Sequence, residues 1–187
     1  MTDDLVASGI EKTALNKGDK IPDFNLNDAF GNQVSSTELL KQGPLVISFY
    51  RGGWCPFCSL ELKALHEIHP QIKELGANLI AISPQLNKFS LENVEKNGFK
   101  FSVLSDIDNK VAESFGLVFG LSKHIANLYR FAFDLDLKAV NGSDNMALHI
   151  PATYICAPDG TIDYAFVDAD HSNRLEPQQI IDFLKSK

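Results

Sequence analysis

The chain reads as a single α/β domain built on a central mixed β-sheet with helices on both faces. Three observations predict this. Apolar runs of buried-strand type alternate with amphipathic segments from Pro44 to Gly116. Two further strand-type segments lie close together near the end, joined by the tight turn Ala157-Pro158-Asp159-Gly160. The 187 residues are one domain's worth of chain, and 44% hydrophobic with 22% charged residues can bury a core without staples.

In chain order, residues 1–16 lack a clean apolar period and are assigned as an N-terminal arm or short helix ahead of a domain over 17–187. Ile21 to Leu26 alternates apolar and polar, Phe30-Gly31-Asn32 forms a turn and Val34 follows, which predicts a small hairpin. Ser36-Thr37-Glu38-Leu39-Leu40 carries the cap chemistry of a short helix. Pro44 to Tyr50 is a continuous apolar run, as a central strand buried on both faces requires. Leu62, Leu65, Ile68, Ile72 and Leu75 recur at threes and fours, predicting an amphipathic helix from Phe57 to about Leu75, closed by Gly76. Asn78–Ser83 is the next buried strand, Asn87–Asn97 a helix ending at Gly98, Phe101–Leu104 a third strand, and Asn109–Phe115 a short helix stopped at Gly116. Within 117–150, Ser122 is placed to cap a helix through Ile125, Leu128, Tyr129 and Ala132, and 141–145 is a loop. Ala152–Cys156 and Thr161–Val167 form the late hairpin, and a final helix starts near Pro177. The order β-α-β-α-β-α, an insert, then β-β-α gives a parallel arm and an antiparallel arm: the thioredoxin-like arrangement, with an N-terminal hairpin and an insert before the last β-hairpin.

The formal net charge of −7 cannot neutralise a row of phosphates, which excludes nucleic-acid binding as the main activity and disfavours an anionic membrane surface. The longest apolar run falls far short of the ~20 residues of a membrane-spanning helix. The acidic start, Met1-Thr2-Asp3-Asp4-Leu5, is not that of a secretory signal, so a cytoplasmic address is expected. Three cysteines, Cys55, Cys58 and Cys156, are too few and too odd for a disulfide-stapled fold.

The chemistry is concentrated in Phe49-Tyr50-Arg51-Gly52-Gly53-Trp54-Cys55-Pro56-Phe57-Cys58, which leaves a buried strand and opens a helix. Unpaired N–H groups and the macrodipole favour an anion there, and a thiolate is that anion. Arg51 adds a positive charge, and the CxxC spacing offers a partner thiol for a disulfide. A zinc site wants four ligands, and no second CxxC or clustered histidine pair supplies the rest, so neither metal nor organic cofactor is expected. This placement is expected to expose at least one of the two thiols. Cys156, mid-strand, is read as a buried structural thiol. Phe115, Phe119, Tyr129, Phe131 and Phe133 are read as core, with a share of them open to lining a homodimer face or an apolar peroxide cleft.

Trp54-Cys55-Pro56-Phe57-Cys58 resembles the thioredoxin active-site pentapeptide, while the surrounding chain, roughly residues 17 to 185, resembles the peroxiredoxins of the alkyl hydroperoxide reductase and thiol-specific antioxidant type, in a subgroup carrying a CxxC. The likeness runs through Gly18-Asp19-Lys20-Ile21-Pro22-Asp23-Phe24, Phe49-Tyr50, Glu61-Leu62, Ala81-Ile82-Ser83, Ser105-Asp106, Phe115-Gly116-Leu117, Thr153-Tyr154-Ile155 and Pro158-Asp159-Gly160. It implies that Cys58 occupies the peroxide-attacking position and that Glu61 fits the family pattern. Arg51 stands at the family's proline position, Cys55 at its threonine position, and His149 with Pro151 where an arginine is usual. These departures weaken the case for rapid peroxidase turnover and strengthen a dithiol role. Ile150-Pro151 matches the cis proline that faces the CxxC of thioredoxin-fold proteins and is expected to be cis. Arg174 resembles a late peroxiredoxin arginine that approaches the active-site loop, against the alternative of a solvated side chain. Trp54 is read as shielding the thiolate.

The resemblance implies a hydroperoxide reductase cycling through a Cys55–Cys58 disulfide, regenerated by thioredoxin or a similar dithiol. A thioredoxin-like protein disulfide reductase, with Cys55 as the nucleophile, and a non-enzymatic redox sensor stay open beside it.

Overall fold

The computed structural model describes residues 2–187. Helices α1 (Thr2–Ser8) and α2 (Ile10–Thr13) precede a hairpin of β1 (Asn25–Asp28) and β2 (Gln33–Ser35). Then follow α3 (Ser36–Leu40), β3 (Leu45–Phe49), α4 (Pro56–Glu74), β4 (Asn78–Ser83), α5 (Asn87–Asn97), β5 (Ser102–Ser105) and α6 (Lys110–Ser114). The insert holds β6 (Val118–Gly120), α7 (Lys123–Ala132), α8 (Leu137–Asn141) and β7 (Ala147–His149), and the chain closes with β8 (Ala152–Cys156), β9 (Ile162–Val167) and α9 (Pro177–Lys185).

Seven strands form one sheet in the order β2-β1-β5-β4-β3-β8-β9, and β6 and β7 pair separately. β3, β4 and β5 run parallel, with Ile47 opposite Ile80 and Ala81 opposite Val103, while β8 lies antiparallel to β3 with Ile47 opposite Tyr154. All five residues of β3 are buried because both sheet faces are covered. On one face Leu45, Ile47 and Phe49 pack with Phe115 and Tyr154. On the other, Val46 and Tyr50 pack under α4 and α9 through Leu62, Leu65, Ile180 and Ile181. That second face carries the cysteines. This is the expected mixed sheet of the thioredoxin-like fold, parallel in its first arm and antiparallel in its second.

Three expectations need correction. Among the described residues no peptide bond is cis, so Ile150-Pro151 is trans. The chain runs extended from β7 into β8, with the Ile150 N–H donating to the Leu117 carbonyl, and trans is the form an X-Pro bond prefers by about 0.5–1 kcal/mol. Of the aromatic group read as core, Phe115 alone is fully buried; Phe131 is 80% and Phe133 67% exposed, because α7 lies outside the sheet sandwich. The insert also contains α8 and the β6–β7 pair, neither of which was expected.

Candidate active site

β3 ends at Phe49, and the chain turns through Arg51, Gly52 and Gly53 into α4. Gly52 is required by that turn. Its φ is +151°, and a Cβ there would stand 2.3 Å from the Trp54 indole nitrogen. The loop is pinned by the Gly53 N–H donating to the Gln85 side-chain carbonyl (2.7 Å) and by the Ser59 hydroxyl donating to the Gly53 carbonyl (3.1 Å). Cys55 is the N-cap of α4, its carbonyl accepting the Ser59 N–H, and Pro56 takes the first helical position, where a missing N–H is harmless. Cys58 follows one turn later.

Both sulfurs are buried, Cys55 at 2% and Cys58 at 0% exposure, so the expectation that one would be exposed fails. Trp54 and Tyr129 meet edge to face at 5.6 Å and stand over the site. Cys55 nevertheless lines a cavity of about 660 Å³, together with Arg51, Trp54, Leu128, Tyr129 and Phe133; Cys58 does not line it. All three cysteines are free thiols. No group of His, Cys, Asp or Glu side chains among the described residues is arranged to hold a metal ion.

The electrostatics separate the pair. The Cys55 thiol is drawn down to about 6, first by the hydrogen bond from the Cys58 thiol, against its burial, and then by the Cys58 backbone N–H and the charges of Arg51 and Arg174. Cys58 is held well above its ordinary value, because its proton serves Cys55 and because it is buried. These directions make Cys55 the more acidic thiol of the pair and leave the shared proton with Cys58.

Arg174, from the segment before α9, reaches the site. Its Nε donates to the Glu61 carboxylate at 2.6 Å and its Nη2 to the Cys58 sulfur at 3.4 Å. Glu61 also accepts weakly from the Ser48 hydroxyl of β3 at 3.4 Å. Burial pushes the Glu61 carboxyl up, and the Arg174 guanidinium opposes that. Arg51 is 3% exposed; its Nη2 donates to the Tyr129 hydroxyl at 2.7 Å, and its guanidinium lies 5.0 Å from the Trp54 ring.

Thus Cys55, Cys58, Arg51, Trp54, Glu61 and Arg174 are brought together. Pro151 is buried between β7 and β8. His149 is fully buried, and burial lowers it to about 4, so it stays neutral. His171 lines the cavity. Sequence reasoning missed Gln85, which has no signal beyond its place after Pro84, and the hydrogen bond from Arg51 to Tyr129, although a cleft position was left open for the aromatic group to which Tyr129 belongs.

A thiolate–thiol pair at a helix N-terminus, on a mixed sheet of this topology, defines a thioredoxin-fold thiol oxidoreductase. The AhpC/TSA family profile matches residues 17–165. The chain belongs to the AhpC/TSA family and is a peroxiredoxin-like oxidoreductase. Peroxiredoxin Bcp of Escherichia coli K12 is 32% identical over 126 residues, covering 65% of this chain and 80% of the relative. The thiol-disulfide oxidoreductase ResA of Bacillus anthracis is 28% identical over 108 residues, 57% of this chain and 61% of the relative. Among solved structures, peroxidoxin BcpB of Mycobacterium tuberculosis superposes with a TM-score of 0.72 at 21% identity, covering 92% of this chain and 97% of that one. Peroxiredoxin Q of Xanthomonas campestris gives 0.67 at 18% identity, covering 87% and 90%. These two share the fold.

Proposed function

We propose that the enzyme reduces hydroperoxides through a dithiol–disulfide cycle at Cys55 and Cys58. The observation that carries this reading is the sulfur pair itself: Cys55, the N-cap of α4, lines an apolar cavity, and Cys58 follows in the first turn of the same helix, with the Cys55 thiol the one drawn down. The Cys55 thiolate attacks the terminal oxygen of ROOH. The O–O bond breaks, an S–O bond forms, and RO⁻ leaves to take a proton from water. The Cys58 thiol then attacks the Cys55 sulfenic sulfur; an S–S bond forms and the hydroxyl leaves as water with the Cys58 proton. An external dithiol of the thioredoxin type reduces the disulfide by exchange, so that both electrons come from thiols. Three unpaired cysteines suit a reducing cytoplasmic setting, and no described helix is long and apolar enough to cross a membrane.

At 2% exposure Cys55 suits a small peroxide group better than a protein disulfide, which sets the disulfide-reductase reading second despite the likeness to ResA. One observation favours the opposite order of attack. Arg174 touches Cys58, the position the peroxiredoxin register assigns to the attacking sulfur. Dimedone trapping after one equivalent of peroxide decides between the two. We expect an adduct on Cys55 in Cys58→Ser and none on Cys58 in Cys55→Ser. The reverse pattern moves the attack to Cys58, and no adduct on either sulfur refutes the peroxidase cycle.

A further inference from the structure

Arg51 is a buried cation, and no described carboxylate lies within ion-pair distance of it. A buried charge without partners is costly, so something else must hold it. Its Nε has no hydrogen-bond partner. What it does have is the Trp54 ring at 5.0 Å, the Tyr129 ring at 5.8 Å, and the Tyr129 hydroxyl as acceptor at 2.7 Å. Tyr129 comes from α7, a ten-residue helix none of whose residues is buried, so little apolar packing ties it to the sheet. The Arg51–Tyr129 bond joins this helix to the thiol loop across 78 residues of sequence.

We propose that Tyr129 is a positioning residue of the active site: its hydroxyl, presented by α7, holds the Arg51 guanidinium toward the Cys55 sulfur. The proposal rests on the reading of Cys55 as the ionised thiol. The same bond makes the closed position of α7 and the electrostatics of the sulfur one unit, because α7 cannot lift from the cavity without releasing the guanidinium. The other charged or titratable groups around Cys55 are Cys58 and Glu61 on α4, Arg174 and His171 before α9, and Asp134 on the cavity wall. None of these has a recorded hydrogen bond to Tyr129, so loss of its hydroxyl acts on Cys55 through Arg51.

The test is the pH profile of Cys55 alkylation by iodoacetamide in the full chain, read by peptide mass spectrometry without any peroxide. Four variants are compared: Tyr129→Phe, Arg51→Met, the double variant, and Phe131→Ser as a control on the exposed side of α7. Tyr129→Phe keeps the ring against Trp54 and is expected to raise the midpoint by about half a pH unit, a threefold loss of rate below it. Arg51→Met is expected to raise it at least as far, with the double variant no further than Arg51→Met alone and Phe131→Ser unchanged. An unmoved midpoint in Tyr129→Phe overturns the inference. So does a Tyr129→Phe shift that persists in the Arg51→Met background, or an equal shift in Phe131→Ser. If wild-type Cys55 itself shows no acid-shifted midpoint, the reading of Cys55 as the ionised thiol falls first.

Discussion

At the scale of the residue, the site runs on the difference between two sulfurs three positions apart. Cys55 is lowered to about 6, so its ionised form is favoured in the folded protein relative to an ordinary thiol. The sign follows from linkage. An acid depressed by folding adds stability that is present above its unfolded value and is lost as pH falls through about 6. Alkylation of Cys55 should therefore rise with a midpoint near 6, whereas Cys156, fully buried and pushed up to about 12, should resist alkylation until the protein unfolds. A Cys156 that reacts in the native state would contradict the burial argument. The Glu61–Arg174 pair gives a second prediction. Both side chains are largely buried, and removing one charge of such a pair strands the other. Glu61→Gln should cost about 3 kcal/mol in urea unfolding and leave Arg174 free to shift from Cys58. The CxxC was legible because a strand-to-helix junction says what a thiol is for. Glu61 and Arg174 were legible only through family register, since a loop arginine by itself looks the same whether solvated or bonded to a sulfur 116 residues away.

Among the elements, the β3–α4 junction carries the sulfurs and α7 supplies part of the wall of the cavity that Cys55 lines. Its apolar residues Ile125 and Leu128 face the cavity, and Phe133 and Leu135 beyond its end continue the wall. The apolar lining of this cavity predicts a preference for hydroperoxides with an apolar body over hydrogen peroxide. Leu128→Ser should lower kcat/KM for cumene hydroperoxide about tenfold while leaving that for hydrogen peroxide nearly unchanged; equal losses for both would mean that the wall serves folding and not selection. The Ser122 cap of α7 was readable, and its hydroxyl indeed accepts the Ile125 N–H. The helix α8 is hidden in the sequence: Asp136 caps it by accepting from the Lys138 and Ala139 N–H groups, but it is only five residues long and runs straight into the turn-forming Asn-Gly-Ser-Asp-Asn stretch. The strands β6 and β7 have three residues each, too few for a period of two to register. Of the aromatics expected in the core or at a cleft, Tyr129 and Phe133 line the cavity while Phe131 is exposed, a division that composition alone cannot make.

On the scale of the whole molecule, the seven-stranded sheet separates stability from chemistry. The framework was legible almost residue by residue from β3 to α5, where long apolar periods leave no second pairing of the same pattern; the trans Ile150-Pro151 bond was not, because isomer choice depends on how β7 enters β8. The parallel arm ends at the loop bearing Cys55, and the face of β3 that holds Ile47 looks away from α4 and toward Phe115 and Tyr154. Truncation there should empty a fully buried position at the centre of the fold without touching the thiol loop. Ile47→Ala is expected to cost about 2–5 kcal/mol, and Ile47→Val about 0.5–1.5 kcal/mol, in urea unfolding. Phe131→Ser, at an exposed position, should change stability by less than about 0.5 kcal/mol. The Cys55 alkylation midpoint should stay near 6 in all three, since the groups that set it, Cys58, Arg51 and Arg174, lie on the loop, α4 and the segment before α9. An Ile47→Ala protein that is still folded by circular dichroism but has an alkaline-shifted midpoint would show that core packing on the far face sets the thiolate as well.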